Sequence, residues 1–174
     1  MLIFLDTEFT KLERPDLISL ALVADDGREF YAERNDYDPK QCSDFVRQTV
    51  LPLLERVPGA ACSRMDLTLR LRDWVGQFSE PATFVFDSEK DWHLLAVAML
   101  GRPQKKPPGD FEKPLYLDSA IFSAPAFKRA SDEAYTQELP IHHALADARA
   151  LMAGYQALIV SQVATSDKPT QRPA

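Results

Sequence analysis

The chain is poor in cysteine, glycine and histidine: 174 residues hold two Cys, six Gly and three His. Two thiols, Cys42 and Cys62, exclude a disulfide framework and show no metal-site spacing. They read as small buried apolar residues, and a reducing, cytoplasmic compartment is the simplest expectation. Six Gly against 13 Pro exclude a glycine-rich linker and point to fixed loops. No apolar run approaches the roughly 20 residues that a spanning helix needs, so no membrane partner is expected. The apolar start Met1 to Leu5 meets Asp6 at once and lacks a basic leader, so it does not read as a signal peptide. There is no basic excess either. Lys plus Arg is 20 against 26 Asp plus Glu, a formal charge of −6. That argues against a protein that coats nucleic acid electrostatically, but not against an enzyme that grips one strand end through bound cations.

What is present is an ordinary globular composition, 45% hydrophobic and 26% charged, at a length suited to one domain. Leu2 to Leu5 is a near-continuous apolar run, the mark of a strand buried on both faces. Leu17 to Ala24 is a second, and Asp25-Asp26-Gly27 joins it as a hairpin to an alternating third, Arg28 to Glu33. Ser43 to Val57 has helical spacing (Phe45, Val46, Val50, Leu54, Val57), with Pro52 as a kink. Ser63 and Asp66 form a capping box for a helix that buries Leu67, Leu71, Trp74, Val75 and Phe78.

Thr83 to Phe86 is a short strand, and Asp91 to Leu100 a helix stopped by Gly101. Gln104 to Asp110 is a loop, Leu115 to Leu117 a last strand, and Ser119 to Arg129 a helix. Ala144 to Val160 is an amphipathic helix with Leu145, Leu151, Met152, Tyr155, Leu158 and Ile159 inward. Three strands followed by alternating helix and strand predict an α/β domain over residues 1–162, a mixed five- to six-stranded sheet flanked by helices. Residues 163–174, polar and Pro-containing, are expected to be a disordered tail.

Three places carry chemistry. Asp6-Thr7-Glu8-Phe9 continues the first strand, and strand alternation puts Asp6 and Glu8 on one face. Two neighbouring carboxylates at the end of a buried strand persist most readily around a divalent cation. A strand that has already ended, with both acids solvated, meets the same residues. His142-His143-Ala144-Leu145-Ala146-Asp147 opens the last helix, and a His beside a carboxylate suits a general base. Spacing leaves His142 and His143 both open, since His143 and Asp147 share a helix face. Asp87-Ser88-Glu89-Lys90-Asp91-Trp92 runs from a buried strand into a helix. Either Asp could complete a cation site, and turn and N-cap chemistry accounts for the same residues.

In this order the three resemble the DEDDh group of 3′–5′ exonucleases of the ribonuclease H-like superfamily, over roughly residues 1–160. The likeness is greatest to the small mycobacterial-type 3′–5′ exoribonucleases. The resemblance implies that fold and a two-metal hydrolysis of single-stranded RNA from its 3′ end to nucleoside 5′-monophosphates. DNA or short oligonucleotides as substrate, or a silent nucleic-acid-binding module, remain alternatives. Asp6, Glu8, Asp91 and Asp147 would hold two Mg²⁺ or Mn²⁺ ions, and His142, five residues before Asp147, would be the general base. Asp87 stands where the family has Asn, and Lys90 where it has an aromatic, so the middle acid is Asp91 or Asp87. Phe9, Thr7 and Asp87 are the candidate substrate contacts, and relatives of this kind are often homodimers. Two divalent ions would take the formal −6 to −2. Lys105, Lys106, Lys113, Lys128 and Arg129 could steer phosphates or form a solvated basic face. Trp92 is expected to pack its helix on the sheet.

Overall fold

A computed structural model describes residues 1–101 and 114–166. Six strands form one mixed sheet in the order β4-β3-β2-β1-β5-β6. β1 (Leu2–Phe9), β2 (Leu17–Ala24) and β3 (Glu29–Arg34) are antiparallel, joined between β2 and β3 by the expected Asp-Gly turn. β5 (Thr83–Phe86) runs parallel to β1, and β6 (Leu115–Tyr116) parallel to β5. β1 is thus central; the mixed sheet flanked by helices is the α/β arrangement that the sequence predicts, and it is consistent with the ribonuclease H-like fold that the resemblance implies.

The helices cover both faces. α1 (Arg64–Val75) and α2 (Glu89–Leu100) pack on the face holding Ile3, Leu5, Leu20, Leu22 and Phe84. α3 (Ser119–Phe122), α4 (Pro125–Glu133) and α5 (Ala144–Ser166) lie on the other. There Phe4, Val85, Leu117, Phe127 and Leu151 form one cluster, and Ala21, Val23, Ala144, Leu145 and Ala148 another. Buried on both sides, β1 has no wet face along Ile3, Phe4 and Leu5.

Local chemistry sets the helix ends. Ser63 caps α1, its hydroxyl accepting the Asp66 N–H at 3.2 Å and donating to the Asp66 carboxylate at 2.8 Å. α2 begins two residues earlier than expected because Ser88 caps it, accepting the Lys90 N–H. Trp92 packs α2 on the sheet as expected, stacked on Phe86 with centroids 5.6 Å apart. Cys42 and Cys62 are buried free thiols.

Several expectations are corrected. The helix expected over Ser43 to Val57 is instead a π-helical turn (Val46–Val50) and a 3₁₀ turn (Leu51–Leu53). Pro52 supplies no N–H to continue it, and Glu55 turns left-handed. Phe45, placed inward by spacing, is 55% exposed. The single helix expected over Ser119 to Arg129 is split by Pro125, which starts α4. β3 does not alternate, because Glu33 and Arg34 are buried with partners: Tyr31 donates to Glu33, and Arg34 donates to Asp16 and Asp36. The two-residue β4 (Ala61–Cys62) was too short to show a pattern. Ile159 points outward, 42% exposed. Helix α5 runs through Ser166, beyond the residue-162 boundary. The rest of the expected tail, the Gln104 to Asp110 loop, and Lys105, Lys106 and Lys113 lie outside the described residues.

Gly154 sets the approach of α5 to α4. A Cβ there would lie 2.8 Å from the Phe127 ring, which is buried against Phe122 in a T-shaped pair. Alanine would gain about 1 kcal/mol of helix propensity. Overpacking costs about 1–3 kcal/mol. We expect Gly154→Ala to be net destabilising in urea denaturation, and Gly154→Ala combined with Phe127→Leu to recover part of the loss. A raised midpoint for Gly154→Ala would mean the ring has room to turn.

Candidate active site

β1 does not end before its acids. The ladder to β2 continues through Asp6 opposite Ala21 and Glu8 opposite Ser19, with an irregularity only at Glu8/Phe9. Asp6 and Glu8 therefore stand on one face of a central strand. Asp91 comes from the first turn of α2, Asp87 from the turn after β5, and Asp147 from the first turn of α5. Ligand-capable atoms of Asp6, Asp87 and Asp91 lie within 4.8 Å of one another, as do those of Glu8, His142 and Asp147. Both middle-motif acids thus reach the site, Asp91 buried and Asp87 exposed.

Burial and mutual repulsion dominate the electrostatics. Burial first, and then the charges of Asp91, Asp147, Glu8 and Asp87, hold the Asp6 carboxyl well above the usual range. Burial, with Asp147 and Asp91, pushes Glu8 to about 8. Burial raises Asp91 to about 7, against the opposing hydrogen bond from Thr7. Asp147 is raised by burial, opposed by donors from Tyr135 and His142.

The donors come from separate segments. Thr7, on the opposite side of β1 from Asp6 and Glu8, is buried and donates its hydroxyl to Asp91 Oδ1 at 2.5 Å. It holds that acid in place, and its side chain is buried. Tyr135 donates its hydroxyl to Asp147 Oδ1 at 2.8 Å, and the His142 backbone N–H donates to Asp147 Oδ2 at 3.0 Å. Asp6 Oδ2 is buried with no hydrogen-bond partner. A set of hard carboxylate oxygens, crowded and short of donors, fits a small divalent cation.

The adjacent histidines differ. His142 has a left-handed backbone (φ 70°), and its ring reaches the acids and meets Phe45 edge-on, 5.1 Å between centroids. His143 is buried under Tyr31, 4.8 Å between centroids, with neither ring nitrogen bonded. Burial pushes it down to about 4.

Two depressions flank the cluster. One, about 260 Å³, is lined by Asp6, Asp87, Tyr135, His142 and Asp147 with Phe122 and Phe127. The other, about 430 Å³ and largely apolar, is lined by Glu8, Phe9, Lys11, Leu12 and Phe45. Phe9 is half-buried against the core below it, whereas Phe45 stands in the open. Phe45 and Tyr135 were missed by sequence reasoning: the first read as core, and the second sits in an irregular segment without a pattern. Lys128 pairs with Asp132 at 2.8 Å on an exposed part of α4.

No protein-family model matches the chain. Over 52 residues it is 46% identical to two curated proteins of Mycobacterium tuberculosis, from strains CDC 1551 / Oshkosh and H37Rv, each named 3'-5' exoribonuclease. The match spans 29% of this chain and 31% of each relative. Among the described residues no helix is long and apolar enough to cross a membrane.

The shifts fix how stability depends on pH. Glu8 and Asp91, near 8 and 7 when folded, lie near 4.5 and 3.8 otherwise. The folded chain therefore keeps protons that the unfolded chain has released, and stability falls as pH rises through that interval. We expect the Tm of cation-free protein to drop from pH 5.5 to 8.5, Glu8→Gln to shrink the drop, and Mn²⁺ to restore Tm at the alkaline end. A cation-free Tm that climbs over this range would contradict the shifts.

Proposed function

We propose that the protein is a metal-dependent 3′–5′ exoribonuclease that releases nucleoside 5′-monophosphates from the 3′ end of single-stranded RNA, in a reducing cytoplasm. The observation that carries this is the convergence of Asp6, Glu8, Asp91 and Asp147 with His142 at one end of the central strand. The names of the two partly matching relatives support the reaction and its RNA substrate.

The four carboxylates would hold two Mg²⁺ or Mn²⁺ ions, with Asp6, which faces the charge of the other acids, central to the set. When bound, such a pair activates water and stabilises the leaving 3′-oxygen. His142 takes the proton of the attacking water. Its ring lies within 4.8 Å of Glu8 and Asp147 oxygens, while His143 is sequestered in the core. Asp87, exposed beside Asp6, would accept a hydrogen bond from a sugar hydroxyl of the terminal nucleotide. The apolar groove beside Glu8 takes a base, with Phe9 at its floor and Phe45 at its wall. Stacking on such a ring is worth about 1–3 kcal/mol per base.

The test is a gel assay on 5′-labelled single-stranded RNA and matching DNA with Mg²⁺, Mn²⁺ or EDTA. We expect a cation-dependent ladder shortening from the 3′ end of RNA, abolished by Asp6→Ala and by Asp147→Ala. His142→Ala should slow it about 10²–10⁴-fold, the usual worth of a general base, with Mn²⁺ binding retained. A larger loss in His143→Ala than in His142→Ala would overturn the assignment of the base. No shortening of either substrate with either cation would leave a nucleic-acid-binding module on this fold.

A further inference from the structure

Each oxygen of Asp147 already accepts a hydrogen bond. The His142 N–H reaches Oδ2 and the Tyr135 hydroxyl reaches Oδ1. These donors lie on opposite ends of the segment between α4 and α5, so together they fix the carboxylate plane. An ionised carboxylate offers about four lone-pair sites. With one used on each oxygen, one on each remains, in a carboxylate whose ligand-capable atoms lie within 4.8 Å of those of Glu8 and His142. The phenol is half-buried, and its hydroxyl is the donor in the bond to Asp147. Ser131, on the last turns of α4, bears on the same phenol. Tyr135 thus ties the end of α4 to the first turn of α5.

We infer that Tyr135 is a positioning residue for the cation site: its hydroxyl orients the Asp147 carboxylate so that the remaining lone pairs meet a divalent cation. This rests on the proposed function, in which Asp147 is a metal ligand. Without the hydroxyl, Asp147 is held at one oxygen only and turns about its side-chain bonds. It must then be ordered again at the moment of binding, and affinity falls. Loss of a partner that orients a metal ligand weakens binding about 10–100-fold. Turnover at saturating cation should change much less, because Tyr135 does not itself move a proton in the reaction.

The experiment is a Mn²⁺ titration of the full chain without RNA, following free Mn²⁺ by electron paramagnetic resonance, on wild type, Tyr135→Phe and Asp6→Ala. Phenylalanine keeps the ring packing and removes only the hydroxyl, and a Tm measured without cation checks that it folds. We expect Tyr135→Phe to raise the Mn²⁺ dissociation constant at least tenfold, with the rate at saturating Mn²⁺ within about threefold of wild type. Ser131→Ala should shift the constant in the same direction by less. Unchanged or tighter Mn²⁺ binding in Tyr135→Phe, while Asp6→Ala abolishes binding, would overturn the inference and leave the nuclease reading standing. A Tyr135→Phe chain with normal Mn²⁺ binding but a raised KM for RNA would also overturn it, making Tyr135 a substrate contact. Wild type that binds no Mn²⁺ would overturn both.

Discussion

Everything at this site depends on one unfavourable fact: carboxylates gathered at the end of a strand that is buried on both faces. Isolated charges do not survive there, and burial is the largest cause of the raised pKa of Asp6, Glu8, Asp91 and Asp147 alike. The central place of β1, between β2 and β5, creates the burial. The core behind it, with Ile3, Leu5, Phe4 and Leu20 fully enclosed, holds the strand rigid enough to bear the repulsion.

The chain offsets the repulsion unevenly. Asp91 lies in the first turn of α2 and Asp147 in the first turn of α5, where the positive end of a helix favours an anion by about 0.3–1 kcal/mol. Each also accepts hydroxyl hydrogen bonds, from Thr7 and from Tyr135. Asp6 and Glu8, on the strand, have no helix end, and Asp6 Oδ2 has no donor at all. The helix-borne acids are thus positioned by the protein, while the strand-borne pair relieves its repulsion by holding protons to higher pH, protons that a bound cation would displace. Asp6 meets the charge of all the others.

How much of this was legible follows from the same physics. Leu2 to Leu5 followed by Asp6 and Glu8 breaks a buried pattern with charge, and such a conflict is visible in one dimension. Asp147 could be read because it sits at a fixed step from the start of a long helix. Tyr135 could not, because its meeting with Asp147 depends on how an irregular segment returns from α4 to α5. Phe45 spaced as core on an α-helical period, but the segment that follows it is a π-helical turn with a different period. The strand β4 is two residues long and carries no period. Asp87 and Asp91 are rivals in a linear spacing; in space both reach Asp6.

The pair His142-His143 shows how a single backbone angle divides two identical side chains. Within a regular helix His143 and Asp147 would share one face, one of the two arrangements that spacing leaves open. His143 lies just before α5: its carbonyl accepts the Asp147 N–H at 3.0 Å, as at a regular helix start, while its ring stays in the core. His142 takes a left-handed conformation, which histidine tolerates better than most residues but which costs about 1–3 kcal/mol. The bond from its N–H to Asp147 Oδ2 offsets part of that cost. The ring that would accept the proton is therefore placed by the acid that would hold the cation. Removing the Asp147 carboxylate would take away a candidate ligand and the acceptor that holds the left-handed turn at His142 in one step. Losses from changes at Asp147 and His142 should accordingly not add, since the two act as one unit.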